Sequence, residues 1–285
     1  MKKEAQRKIF SKTLDWVNER IDMRRLNSTS SDLIELASGT LRQEIRDYFK
    51  KQKKEKKIND SLKAGYYDFL ENGIKNHKGI TKATFSDYKK EFRKELENRI
   101  ANSFALIKNK DNEIIAGLSS RFLNWVTIDS KEVRGRKTDE NSLLNFLDFG
   151  KENDISEEHL KFIIKDQNNK MTASFDAILA EKNDAIACIW HNRRDKRVVG
   201  NPDGLYPHAE SKAHGNHWER EGQVYILKNG WAYKKGYVKG KLYESLEDGG
   251  VGVAIGCRCY LEYIYNLEDL PQENLTKKGK EVLIA

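Results

Sequence analysis

Proline is scarce, with three in 285 residues, so little in the chain interrupts long ordered helices. Cysteine is equally scarce. Three cysteines, two of them nearly adjacent, cannot make a disulfide framework, and a reducing compartment is expected. No run comes near the roughly 20 apolar residues that a membrane span requires. The opening Met1-Lys2-Lys3-Glu4-Ala5-Gln6-Arg7-Lys8 is followed by no apolar stretch of the kind a secretory signal carries. Residues 101–285 lack any excess of positive charge. The whole net charge of +8 comes from residues 1–100, which hold 25 Lys and Arg against 16 Asp and Glu. That asymmetry implies a polyanionic partner for the N-terminal third, an acidic protein surface, or simply a solvated basic helix face.

What is present is patterned for helices first and short strands later. Phe10, Leu14, Val17 and Ile21 predict a helix within 1–26. Asp32 and Glu35 resemble a capping box that opens a second helix, with Gly39 as a possible break. That helix runs into Lys50, Lys51, Lys53, Lys54, Lys56 and Lys57, six lysines in eight positions that repel one another and are expected to pack against nothing. Two readings of the run stand open: a solvated helix end, or contact with DNA phosphates. A short helix is expected over 61–76. Phe85, Tyr88, Phe92, Leu96, Ile100 and Phe104 form a helical stripe over 85–107. Residues 129–141 read as an exposed connection, Ser156 as the N-cap of a further helix, and 171–182 as the last one.

Beyond that point the periodicity changes. Ala185 to Trp190 reads as a buried strand, and Tyr260 to Tyr265 as another. Val224–Leu227 and Trp231–Tyr233 flank Asn229-Gly230, which predicts a hairpin. The fold class expected is α+β, with a basic, mostly helical region over 1–170. A small loop-rich α+β domain with short antiparallel strands follows over 171–285.

The chemistry concentrates in that second region. Cys257 and Cys259 are two of three cysteines, and His214 and His217 two of six histidines. Thiolates and imidazoles are suitable ligands for a tetrahedral zinc, so these four are the candidate metal ligands and a structural zinc the candidate cofactor. The competing expectation is a strand start and a polar loop with no metal. His191 and His208 are spare candidates, and Cys188 is expected in the core. His214 to Arg220 also contains the residue types of a nuclease: histidine as base, Glu219 as acid, Arg220 for phosphate charge. Metalloprotease, P-loop and nucleophile-elbow patterns are absent.

The C-terminal third resembles the head-morphogenesis, or minor head protein, family of tailed bacteriophages (the phage Mu F-like group). The matching pieces occur in order. They are Trp190 with Arg194-Asp195-Lys196-Arg197-Val198; Asn201-Pro202-Asp203-Gly204; Arg220-Glu221-Gly222 with Tyr225; Trp231-Ala232 and Gly236; Gly256-Cys257-Arg258-Cys259; and the ending from Tyr265-Asn266-Leu267 through Leu275-Thr276-Lys277-Lys278-Gly279. The resemblance covers about residues 171–285. One departure stands out: many members carry a cysteine pair, or a cysteine and a histidine, just after the Arg-Val element. This chain has Val199-Gly200-Asn201-Pro202 there. The resemblance implies a non-enzymatic virion component, made in the host cytoplasm, that acts in head assembly at or near the portal vertex. Its implied partners are the portal protein and capsid or scaffold proteins, and some members bind DNA. No helix-turn-helix or zinc-finger spacing accompanies the basic residues of this chain, so any contact with double-stranded DNA is expected to be to phosphates and without sequence specificity, and no membrane partner is expected. The alternatives are a phage-encoded nuclease-like enzyme using the 208–220 region and a DNA-binding regulator.

Overall fold

The computed structural model describes residues 31–73, 77, 87–127, 147–208 and 215–284. The expectations for the helix within 1–26, the capping residue Asp32, the connection over 129–141 and His214 fall outside these residues or their described side chains. Among the described residues four long helices come first: α1 (Ser31–Lys51), α2 (Lys54–Asn72), α3 (Lys89–Thr127) and α4 (Phe149–Lys182). Then come β1 (Ala187–His191), β2 (Val224–Ile226), the short helix α5 (Trp231–Lys234), β3 (Tyr260–Ile264) and α6 (Lys277–Ile284). This is the expected α+β class, helices first and a small antiparallel sheet after. Among the described residues no helix is long and apolar enough to cross a membrane.

The chain divides into two compact units, Met1–Ile58 with Ser103–Ile163, and Asn59–Asn102 with Ile164–Ala285. The first buries Leu41, Ile45, Phe49, Leu118 and Phe122. It also buries Lys54, whose Nζ lies 2.6 Å from Asp111 Oδ1 and 2.6 Å from Ser156 Oγ, over the Phe49 ring at 4.0 Å. Two expectations are corrected here. Lys54 packs, because an acid and a hydroxyl meet its ammonium and an aromatic face lies under it. Ser156 does not start a helix. It lies inside α4 and donates its hydroxyl to Asp111 at 3.0 Å. Gly39 likewise does not break α1.

The second unit holds the sheet, in the order β2-β1-β3, both pairings antiparallel. Alternation along β1 sends Ala187 to one face, with Ile226, Ala232, Ile264 and Leu275, and Cys188 and Trp190 to the other, with Tyr225, Leu261 and Tyr263. Both faces are therefore covered, which is why β1 reads as a continuous apolar run. Elsewhere in the unit Phe69, Phe92 and Phe175 pack ring to ring with centroids 4.8–5.7 Å apart. His77 is buried between Tyr265 Oη (2.6 Å) and Asp176 Oδ1 (3.0 Å), and stacks on Tyr263.

The expected hairpin is not formed. Gly230 is extended and residues 231–234 turn helically after it. The free edge of β2 is taken instead by the segment at Lys241 and Leu242, through Ile226 N–H to Lys241 O at 2.8 Å. The helical turn puts Ala232 wholly into the core.

Candidate metal centre

The cysteine pair is placed by helix and strand together. Asp166 on α4 accepts the Gly256 N–H at 2.7 Å, and Asn169 donates to the Cys257 carbonyl at 3.4 Å. Gly256 occupies the left-handed region at φ 74° and turns the chain into β3. In the extended stretch that follows, alternate side chains share a side. Cys257 and Cys259 both bring their sulfurs to His217, while Arg258 between them pairs with Asp195 at 2.6 Å.

His217 meets them from a separate loop. Asn192, at the end of β1, donates its side-chain amide to the His217 carbonyl at 3.1 Å. Trp218 N–H is held by the Val199 carbonyl at 3.0 Å. The imidazole lies edge-on to Trp190, centroids 5.1 Å apart. Its Nδ1 is 3.8 Å from Cys257 Sγ and 3.5 Å from Cys259 Sγ. Its Nε2 is 3.0 Å from Asp248 Oδ2, which also accepts from Arg220 NH1 at 2.7 Å.

These three donor atoms lie within 4.8 Å of one another and could hold a metal ion. With zinc–sulfur bonds of about 2.3 Å and zinc–nitrogen bonds of about 2.0 Å, a tetrahedral ion separates its nitrogen and sulfur ligands by about 3.5 Å. The spacing found is close to that. The buried indole N–H of Trp190 is directed at the Cys259 sulfur, where it favours the thiolate.

Proton affinities in the cluster are interdependent. The Cys259 hydrogen bond pulls the Cys257 thiol well below its ordinary range against the effect of burial, and His217 adds to the pull. Cys259 is pushed up by its bond to Cys257 and by burial. Burial acts to lower the His217 value, but Cys257 and Asp248 outweigh it and raise it. The pair thus sheds one proton readily and the second with difficulty. A divalent cation held there would supply the charge that removes the second.

Of the four expected ligands, three converge and His214 lies outside the described residues. Asp248, in the acidic-to-glycine loop Glu247-Asp248-Gly249-Gly250, was not singled out from sequence, and no spacing pattern marks it. The spare histidines are elsewhere. His191 sits between Glu221 and Glu262 at 3.6 and 3.4 Å, and His208 is exposed. Cys188 is buried in the core as expected, its thiol pushed up by burial. In the 208–220 stretch, His217 and Arg220 are both committed to Asp248 and Glu219 is exposed. In the lysine run, Lys50, Lys51, Lys53, Lys56 and Lys57 are exposed, while Lys54 is buried and not available to a phosphate.

Comparison with protein-family models, with curated proteins and with solved structures finds no match for this chain.

Several residues of the sequence elements quoted above touch one another around the cluster. Arg258 of the late element pairs with Asp195 of the first, and Asn201 of the Asp-Gly loop donates to the Asp195 carbonyl at 3.1 Å. Glu221 accepts from Asn192 N–H and from Arg194. Arg220 lies over the Trp190 ring at 4.9 Å.

Proposed function

We propose that the chain is a minor head protein of a tailed bacteriophage, acting in head morphogenesis at or near the portal vertex. Its second unit would be closed by one structural zinc ion. The observation that carries this reading is the convergence just described. Residues of four of the six elements, at 190–198, 201–204, 220–225 and 256–259, are linked by contacts around His217, Cys257 and Cys259, while the 231–236 element and the ending pack on the other face of the sheet. A set of motif residues that build a common scaffold is what a shared domain requires.

Zinc is favoured over other ions because two soft thiolates and an imidazole form the donor set. A structural role follows from its surroundings. Cys257 and His217 are buried, and the ion would tie together the loop before β3 and the loop after β1, segments with little regular structure of their own. Binding free energy there is folding free energy. The exposed lysines of the 50–57 run give the first unit a patch for the phosphates of packaged DNA or an acidic portal or capsid surface.

The test is co-sedimentation of the purified chain with assembled portal of the same phage, with virions assayed for the protein. Binding at micromolar concentration and presence in virions are expected. Failure of both overturns the reading. Elemental analysis of protein purified without chelator should find about one zinc per chain. His214→Ala with unchanged zinc would remove His214 from the ligand set. DNA cleavage abolished by His217→Ala would replace the assembly reading with the nuclease one.

A further inference from the structure

The Asp248 side chain is fully buried, and its contacts do more than fill space. One oxygen, Oδ2, takes both the His217 Nε2 contact at 3.0 Å and the Arg220 NH1 contact at 2.7 Å. The other, Oδ1, accepts the Gly250 N–H at 3.3 Å. Gly215 occupies the left-handed region at φ 60°, and a Cβ there would collide with Asp248 Oδ2 and the Arg220 guanidinium. The backbone is therefore pressed onto the Asp248–Arg220 pair, and the Arg220 guanidinium lies over the Trp190 ring at 4.9 Å.

We propose that Asp248, clamped by Arg220, is the positioning carboxylate of a divalent-metal centre at His217, Cys257 and Cys259. It fixes the proton on His217 Nε2 so that the Nδ1 lone pair faces the metal. This rests on the metal reading above and goes beyond it by assigning the ligating nitrogen and the residue that selects it.

The geometry leaves little choice of tautomer. A carboxylate is an acceptor only, so the Nε2 that faces Asp248 must carry hydrogen. In a neutral imidazole Nδ1 is then the free lone pair, and Nδ1 is the atom that faces both sulfurs. A carboxylate in this position orients the ring and raises its basicity toward the metal. Charge agrees as well. Two thiolates neutralise a divalent ion, and Arg220 neutralises Asp248, so the buried centre sums to zero. A fourth ligand that preserves this balance is neutral, an imidazole or a water. An uncompensated charge in such a place is costly.

The experiment uses the full chain, stripped of metal under reducing conditions and titrated with Co²⁺, then with Zn²⁺ in competition. Wild type should take up about one ion with a sulfur-to-cobalt absorption band. Asp248→Asn should keep that stoichiometry and bind about 10- to 100-fold more weakly. A residue with a merely structural role would lower the melting temperature of apo and loaded protein alike and leave the affinity unchanged, and that result overturns the proposal. In case Asp248→Asn does not fold, long-range ¹H–¹⁵N NMR of zinc-loaded wild type reads the tautomer directly. A metal-bound Nδ1 with a protonated Nε2 is expected. Metal on Nε2 overturns the assignment. Wild type that takes up no Co²⁺ or Zn²⁺ overturns the metal reading itself, a failure seen without any variant.

Discussion

The residue that departs furthest from its neighbours is Lys54. Five lysines around it are exposed, while its ammonium is buried with Asp111 and Ser156. Burying a charge is costly unless it is paired, and removing one partner leaves the other stranded. Asp111→Ala should therefore destabilise the first unit by about 3 kcal/mol, while the double change Lys54→Met with Asp111→Leu should cost much less. Denaturant melts of the two variants check this. Burial lowers the Lys54 value against the pull of Asp111, and the sign of its pH effect follows. Between its lowered folded value and about 10.4, the unfolded chain binds the proton that the folded chain has released. Stability from this group therefore rises with pH across that window. The difference between wild type and Lys54→Met should move in favour of wild type as pH climbs through it; a movement the other way contradicts the assignment. The same burial separates Lys54 from its neighbours in DNA binding. Gln at Lys50, Lys51, Lys53, Lys56 and Lys57 should flatten the salt dependence by roughly one unit of slope for each phosphate that is no longer neutralised. Lys54→Gln should leave the slope as it was, and an equal effect from both would contradict the burial.

Elements built from local patterns were legible in the sequence, and those decided by a distant neighbour were not. The strands at 187–191 and 260–264 were announced by short apolar or aromatic runs. The segment at 231–234 was not, because whether it pairs with β2 depends on who else claims that edge, and Lys241 and Leu242 do. α4 was read in pieces because Ser156 has the chemistry of a cap; only its burial against Asp111 and Lys54 shows its other use. The site follows the same rule. Rare cysteines and histidines at tight spacing betray themselves, whereas Asp248 is one acid among many until the fold brings it to His217. The turn into α5 offers a test at this scale. At Gly230 a methyl would meet the Ala185 carbonyl at 2.8 Å and Ile186 Cα at 3.1 Å. Backbone atoms cannot step aside cheaply, so Gly230→Ala should cost about 1–3 kcal/mol. At Gly236 nothing crowds a methyl, but φ is 71°. Gly236→Ala should cost only the strain of that conformation, about 1 kcal/mol. Thermal melts should rank the two in that order, and the reverse order would contradict the close approach at Gly230.

Across the whole chain, the two units differ in what holds them. Both have cores of aliphatic and aromatic side chains, but among the described residues the C-terminal part of the second spends much of its length in loops between three strands of five, three and five residues. A unit built that way gains most from an ion that fixes its loops. With free zinc at a thousand times the dissociation constant, linkage adds about 4 kcal/mol to the form that binds. Removal of the ion by chelator under reducing conditions should therefore act on one unit only. Amide hydrogen exchange should speed up in β1, β3 and the 215–223 and 248–259 loops. It should stay unchanged in the 31–51 and 103–122 stretches of α1 and α3, where no proposed ligand lies. Cys257→Ser should reproduce the chelator's pattern without chelator, and zinc should no longer reverse it. If metal leaves and the exchange of β1 and β3 does not change, the ion does not hold this unit together. Cys257, Cys259 and His217 would then be packed by the hydrogen bonds already in place: Asp248 on the imidazole, Asp166 and Asn169 on the backbone beside Cys257.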